Sequence, residues 1–353
     1  MKILPALLIF VPVAIGADLM DASPVAVFAL SALAIVPLSG FLGRATEEIA
    51  GYTGPMLGGL LNATLGNLAE LIIALLALRA GLVDLVKASI TGSVLGNLLL
   101  VLGAAQLAGG LRHKSQRFSV ALAGLSISLL VVAVIGLVIP ALFHATHTDP
   151  TRALTRRVSI GVAILLAAGY LLSLVYTMGT HRSVFGEARD VAKESHGSQG
   201  PAWSLARSTL VLLGSAAFVG WLSEIMVGST EEAIRRVGLS EVFVGLIVVP
   251  IIGNAAEHSS AVLMATKNRM DLAVSIAVGS SAQVALLIAP ILVFAGLAFG
   301  QPMDLAFSAF EVVSVGLAVA VATAVVRDAE SNWLEGAFLL LVYGMLAMAF
   351  FYF

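Results

Sequence analysis

Long apolar runs dominate this chain, and they leave it few ways to fold. Runs approaching or exceeding the ~20 residues needed to cross a bilayer occur at about 3–20, 24–43, 55–79, 84–110, 118–143, 157–179, 205–227, 239–266, 271–299, 304–326 and 333–353. No water reaches the hydrocarbon core to satisfy backbone N–H and C=O groups, so a spanning segment is a helix or part of a closed barrel. These runs are continuous rather than alternating, and too long for the ~10-residue strands of a barrel. The expectation is an all-α polytopic membrane protein with about 11 transmembrane helices. Only 11% of residues are charged, against about 25% in soluble domains. A net charge of −2 offers nothing to nucleic acid, and the absence of cysteine excludes disulfides, thiolate metal sites and thiol redox chemistry. The first run follows a single basic residue, Lys2, and shows no small-x-small cleavage site. It reads as a retained span rather than a signal peptide.

The chain repeats itself. Thr46-Glu47-Glu48 pairs with Thr230-Glu231-Glu232 at an offset of 184, Gly66-Asn67-Leu68-Ala69-Glu70 with Gly253-Asn254-Ala255-Ala256-Glu257 at 187, and Gly92-Ser93 with Gly279-Ser280 at 187. Corresponding elements lie five spans apart. An odd number inverts the second copy, which is the arrangement of many secondary transporters, with the site near the midplane at the repeat interface. The expected organisation is an N-terminal transmembrane helix (1–22), a first five-helix repeat (23–180), a polar inter-repeat loop (181–202) and a second five-helix repeat (203–353). Placing the N-terminus in the cytoplasm puts 12 Lys and Arg inside and 7 outside, which favours N-in and C-out. Arg112-His113-Lys114-Ser115-Gln116-Arg117 supplies much of that bias and reads as a solvated loop near lipid headgroups. In the inter-repeat loop, Glu187, Asp190 and Glu194 fall on one helical face. A solvated linker is the plain reading, and an acidic helix that collects cations or regulates entry is the sharper one. No phosphate-binding loop motif occurs, which argues against ATP-driven pumping.

Two intramembrane carboxylates carry the chemistry. An ionisable residue within a span is costly and marks function by default. Asn67 and Glu70 are i, i+3 and share a helix face, with Asn62 two turns before Glu70. Asn254, Glu257 and His258 share a face in the second copy. Gly66 in one copy, and Pro250 with Gly253 in the other, can interrupt the helical hydrogen-bond ladder and free carbonyl oxygens. Two Glu, two Asn and freed carbonyls suit Ca²⁺, which takes 6–8 oxygen ligands. Without Cys and with little His, Zn²⁺ and Cu⁺ suit the set poorly, while Mn²⁺ remains open. Two adjacent carboxylates in a low dielectric cannot both stay charged. One divalent ion neutralises the pair, and so do two protons. That predicts obligatory exchange of one cation for at least two protons.

Ser93 with Asn97, and Ser280 with Gln283, are polar pairs on the following helices that either cap the site or hold helices together. His258 is a packed imidazole or a proton relay. Glu47, Glu48, Glu231 and Glu232 fall at expected helix ends, as solvated termini or as a cavity mouth and proton path. A hydrolase would need a nucleophile–base pair or a His-Glu-x-x-His motif, and neither occurs. A passive cation channel is the weaker transport alternative.

The segments Asn62 to Ile72 and Pro250 to His258, with Gly92 to Gly103 and Gly279 to Leu286, resemble the paired signature repeats of the calcium/proton (CAX-type) antiporters of the calcium/cation antiporter superfamily. The resemblance covers the chain from about residue 24. It implies eleven spans, Glu70 and Glu257 as central ion ligands, Asn67 and Asn254 beside them, and Ser280 and Gln283 on the facing helix. The substrates implied are Ca²⁺ and H⁺ in the lipid bilayer, with no cofactor and no enzymatic activity. The acidic segment it also implies is short and mixed in charge here, and the long regulatory N-terminus of plant members is missing. This fits a prokaryotic inner-membrane exporter. The sodium/calcium exchangers of the same superfamily are the nearest rival.

Overall fold

The computed structural model describes residues 4–181 and 202–353. It is helical almost throughout, as the apolar runs require. We number the helices α1 (Phe10–Leu19), α2 (Pro24–Leu65), α3 (Leu68–Arg79), α4 (Val83–Arg112), α5 (Val120–Thr146), α6 (Ala153–Val175), α7 (Leu205–Val237), α8 (Glu241–Gly253), α9 (Ala255–Thr266), α10 (Met270–Phe299), α11 (Ala309–Val326) and α12 (Trp333–Phe351). Among the described residues, eight helices are long and apolar enough to cross a membrane. A ninth candidate is the pair α8–α9, bent by 62°. A two-residue strand, β1 (Gln116–Arg117), pairs antiparallel with β2 (Glu330–Ser331).

Polar punctuation sets the helix ends. Ser23, Ser204, Ser240 and Ser308 each accept an N-cap hydrogen bond from a first-turn backbone N–H, at α2, α7, α8 and α11. Ser308 and Glu311 form a capping box at α11, as Asn332 and Glu335 do at α12. Gly238 (φ +77°) and Gly300 (φ +71°) end α7 and α10 in the left-handed conformation that glycine adopts at low cost.

Two boundaries differ from expectation. Residues 44–53, expected to separate two spans, are helical and extend the first span to Pro24–Thr53; α2 then turns on itself, since the Cβ position of Gly58 meets the Ala50 carbonyl oxygen, which a straight helix would hold about 12 Å away. At 1.5 Å per residue the span Pro24–Thr53 is about 45 Å long, longer than the hydrocarbon thickness of about 30 Å. Its polar side chains in that stretch find partners on the helix flank instead of ending it. The Arg44 and Arg207 guanidiniums lie over the Trp203 ring at 4.4 and 4.8 Å. The Trp203 N–H donates to Glu48 Oε2 (3.1 Å), and the Tyr52 hydroxyl donates to the Trp203 carbonyl (2.6 Å). At the other boundary, the span expected from 304 begins at Ala309. Asp304 to Ser308 form a non-helical strap, where Asp304 pairs with Arg152 (3.4 Å) and the Leu305 N–H donates to Ser159 Oγ (2.9 Å).

The described chain packs as two compact units. The first takes residues up to Ser89 and from 202 to Ala256; the second takes Ile90 to 181 and Glu257 to Tyr352. Each draws on both sequence repeats. In the first unit, α7 packs along α2, and α3 and α8 pack beside them. Trp203, at the start of α7, sits on residues 44–52 of α2. Helix α1, joined to the other end of α2 by four residues, also touches α7. The two long helices therefore run antiparallel, and Thr46-Glu47-Glu48 and Thr230-Glu231-Glu232 lie toward opposite ends of the pair, as inverted repeats demand. In the second unit, α10 packs on α5, α6 and the second half of α4, α11 packs on α5, and α12 packs on α4. The α4–α12 contact is close because Gly103, Gly110 and Gly336 let backbones meet. A Cβ on Gly110 would collide with the Trp333 backbone nitrogen.

Candidate functional site

Both signature motifs fall where a helix breaks. Helix α2 stops at Leu65, Asn67 leaves the helical conformation (φ −97°, ψ 27°), and α3 restarts at Leu68. Helix α8 stops at Gly253, Asn254 adopts nearly the same angles (φ −93°, ψ 6°), and α9 restarts at Ala255. The two asparagines are each 1% exposed. The two glutamates occupy the same place, the first turn of the restarted helix: Glu70 in α3 and Glu257 in α9. A helix that stops leaves up to four carbonyls without intrahelical partners. A break of this kind can free carbonyl oxygens next to an amide and a carboxylate, while the Asn62 and Pro250 carbonyls themselves accept from the Gly66 and Asn254 N–H groups.

In the first unit the motifs meet. A Cβ placed on Gly253 would lie 2.7 Å from Glu70 Cγ and 3.6 Å from its Cδ. The Glu70 side chain rests on bare backbone of the second motif, and only glycine permits that approach. Sequence spacing suggested that Gly253 weakens a helix; the structure adds that it receives a carboxylate. The internal gap of this unit lies among α3, α4, α7 and α8 and is mainly apolar. Its hydroxyls, on Ser89 and Thr230, donate to carbonyls of their own helices.

The second unit holds the other polar groups. The Ser280 hydroxyl hydrogen-bonds the Glu257 carboxyl. Ser280, Ser93 and Asn97 are buried and Gln283 is half-buried. The N-terminal part of α10, which carries Ser280 and Gln283, packs against the turn Gly96–Val101 of α4, which carries Asn97. That turn is a π-helix, and α10 has another at Val284–Ile288. Two and three residues separate them from the repeated Gly-Ser pairs. π-turns concentrate at functional sites, and their recurrence makes the repeat visible in the backbone as well as in the side chains. Glu257 Oε2, His258 Nε2 and Asn97 Nδ2 are buried and have no hydrogen-bond partner among the described residues. Buried polar atoms are normally paired, so the carboxylate oxygen and the imidazole nitrogen remain available to a cation or a proton, and the Asn97 amide to an acceptor. Among the described residues, no three His, Cys, Asp or Glu side chains cluster as a ready metal site. A cation here would draw on carboxylates together with amide, hydroxyl and carbonyl oxygens.

Other expectations need correction. Glu47 and Glu48 lie in the last two turns of the span Pro24–Thr53, but Glu48 is no solvated terminus, being engaged by Trp203 and, at 3.9 Å, by Arg44. Glu232 does lie in the last turns of α7, where Arg235 and Arg236 hold its carboxylate; Glu231 beside it is exposed. Asn62 is exposed, whereas Asn67 is buried. The acids Glu187, Asp190 and Glu194 lie outside the described residues.

Two charged residues, Glu311 and Glu224, escaped the sequence reading, and a third, Lys87, counted there among the outside basic residues, is buried. Glu311 is 6% exposed, accepting from Thr91 Oγ1 (3.1 Å) and from the Ser308 N–H (3.0 Å). Lys87 is equally buried in α4. Glu224 stands within α7. Their signal was a single charge in an apolar run, without a repeated partner to draw the eye.

The comparisons bear on these features. The model of the sodium/calcium exchanger protein family matches residues 23–179 and 207–352. The chain belongs to that family. It is 45% identical over 362 residues to a Ca²⁺/H⁺ antiporter of Synechocystis sp., covering 99% of this chain and 97% of that one. It is 41% identical over 342 residues to the Ca²⁺/H⁺ antiporter ChaA of Bacillus subtilis, covering 97% and 96%. The solved structure of native YfkE superimposes with a TM-score of 0.86 at 37% identity, covering 99% of this chain and all of that one. A crystal structure of the H⁺/Ca²⁺ exchanger CAX shares the fold, with a TM-score of 0.75 at 16% identity. The family resemblance read from the paired motifs is thereby borne out, and the chain is an integral membrane protein.

Proposed function

We propose that this protein is a secondary antiporter that expels cytosolic Ca²⁺ in exchange for protons, with Glu70 and Glu257 as the carboxylates that carry either cargo. One observation carries the reading: Glu70 rests on the backbone of Gly253, at a helix break that repeats the break beside Asn67 almost angle for angle. Two pieces of chain built alike, each with a carboxylate in the first turn after a break, form a divided site for one small cation. The names of relatives covering nearly the whole chain support Ca²⁺ and H⁺ as the cargoes.

The coupling follows from charge. A divalent ion held by both carboxylates cancels their charge, and two protons do the same. A site bearing two uncompensated charges is too costly to re-orient across the membrane. It therefore returns only when loaded, which links Ca²⁺ export to proton entry. Asn67 and Asn254 complete the oxygen set, Ser280 orients Glu257, and Ser93, Asn97, Gln283 and His258 surround it. Alternating access presents the site to each side in turn. The N-terminus is cytoplasmic and the C-terminus outside.

Sealed inside-out vesicles test this. An imposed pH gradient, acid inside and without Na⁺, drives Ca²⁺ uptake that collapses with a protonophore. Strict dependence on Na⁺ overturns proton coupling. Glu70→Gln and Glu257→Gln each abolish uptake, and proton-driven transport retained in both refutes the assignment of the site.

A further inference from the structure

Glu224 is a carboxylate where a lipid-facing helix should carry none. In α7 the stretch between Arg207 and Glu231 holds no other charge. Glu224 lies five residues from its centre, about 7.5 Å along the axis, well inside a hydrocarbon half-thickness of about 15 Å. Its side chain is exposed, and no hydrogen bond or ion pair holds it among the described residues. Ionisable residues at such depth face the protein interior or a water-filled cavity.

The stripe on which it lies changes character along the helix. Leu213, Trp221, Glu224, Gly228 and Glu231 follow one another on one exposed face. Leu213 is 63% exposed and Trp221 50%, as suits lipid. From Glu224 onward the stripe holds two acids and Gly228, around which nothing lies within 4 Å of a Cβ position. Gly220, one turn before Glu224, has its Cβ position 3.9 Å from Ile72, two residues beyond Glu70 in α3. The acidic part of the stripe thus starts beside the helix that bears Glu70 and leads to the Glu231 end of α7. At the offset that pairs Thr46-Glu47-Glu48 with Thr230-Glu231-Glu232, the position matching Glu224 is Gly40. Only one repeat carries this acid, so it serves one side of the membrane.

We propose that Glu224 lines the aqueous route between Glu70 and the Glu231 end of α7, where its carboxylate transiently docks the divalent cation. With the N-terminus inside, that end faces out, and the route carries Ca²⁺ away and admits protons. The proposal rests on the reading of the protein as a divalent-cation antiporter.

The chain has no cysteine, so one introduced thiol reports on its own surroundings. A charged, membrane-impermeant methanethiosulfonate is applied from each side to Glu224→Cys, with Glu231→Cys as the wetted control and Leu213→Cys as the lipid-facing one. Glu224→Cys is labelled from one side only, like Glu231→Cys, while Leu213→Cys is not labelled. Protection of Glu224→Cys as complete as that of Leu213→Cys overturns the proposal and points to lipid or to a neighbouring copy. In flux assays from the side that labels, Glu224→Gln raises half-saturating Ca²⁺ about five-fold at unchanged maximal rate. That is the size expected when one unit charge stops acting on a divalent ion across ~8 Å of water. Unchanged half-saturation in this variant overturns the docking role. Labelling does not depend on cargo, so failure of Ca²⁺/H⁺ exchange in the parent protein is told apart from failure of the route.

Discussion

Gly253→Ala is the most direct perturbation of the candidate site that alters no polar atom. The added methyl would stand 2.7 Å from Glu70 Cγ, where even tight contacts begin near 3.0–3.4 Å. Cγ is a methylene in the middle of the side chain, so Glu70 or the helix must retreat by about 0.7 Å. Overpacking of this kind costs ~1–3 kcal/mol. Ca²⁺–oxygen bonds span only about 2.3–2.6 Å, so a retreat of that size takes the carboxylate out of ligating range unless the whole cage follows. Half-saturating Ca²⁺ should rise at least ten-fold, equivalent to ~1.4 kcal/mol, while the protein still folds and inserts. Gly279→Ala is the control, since nothing lies within 4 Å of its Cβ position. Both are measured by pH-driven Ca²⁺ uptake in vesicles, normalised to protein content and checked for thermal stability in detergent. Half-saturation within two-fold of the parent for Gly253→Ala would show that Glu70 need not approach this backbone, and the divided-site argument would fail.

Two further outcomes follow from contacts away from the site. Trp203→Ala removes two cation–π contacts, each worth ~0.5–1 kcal/mol at exposed sites, together with the ring that covers the polar middle of α2. It should lower the detergent melting temperature more than Tyr52→Phe, which removes one hydrogen bond; equal effects would show that the rings carry no stability. Asp149, in the loop between α5 and α6, accepts from the Thr155 N–H and hydroxyl, and the backbone hydrogen bond holds its carboxyl below the ordinary 3.8. A depressed folded-state value means the contribution is present above the unfolded value and is lost as pH falls through the folded one. The stability gap between parent and Asp149→Asn should therefore be full near neutrality and close at acid pH. A gap that widened on acidification would reverse this sign.

Repetition decided how much was legible in the sequence. The helix breaks were readable because Gly66-Asn67 and Gly253-Asn254 recur, and helix-breaking residues inside an apolar run have few other uses. That residues 44–53 continue the first span was not readable. Arg44, Glu48 and Tyr52 look like a solvated linker until Trp203, more than 150 residues away, is brought onto them. Glu311 was hidden by its capping box, which is a local motif, whereas the bond to Thr91 that buries it is not. The close approach of Glu70 to Gly253 lies between these cases. The two motifs announced each other, but only packing could show that one supplies the bare backbone on which the other's carboxylate rests.

The two repeats agree and differ in a pattern with functional content. The asparagines at the breaks share backbone angles within about 20°, the glutamates share a helical position, and the Gly-Ser pairs are each followed by a π-turn. Thr46 and Thr230 are both buried and donate to the carbonyl four residues earlier. Where the copies reach toward opposite ends of the α2–α7 pair, they diverge. Glu48 is held by a tryptophan from the inter-repeat connection, Glu232 by two arginines of its own helix, and Glu224 faces Gly40 across the alignment. An exchanger must present one site equally to both sides, which conserves the geometry of the breaks between copies. Its two entrances meet different solutions and release different ions, so nothing requires them to match. Substitutions at the breaks should therefore impair uptake and release alike, whereas those at Glu48 or Glu224 should act on one direction of flux more than on the other.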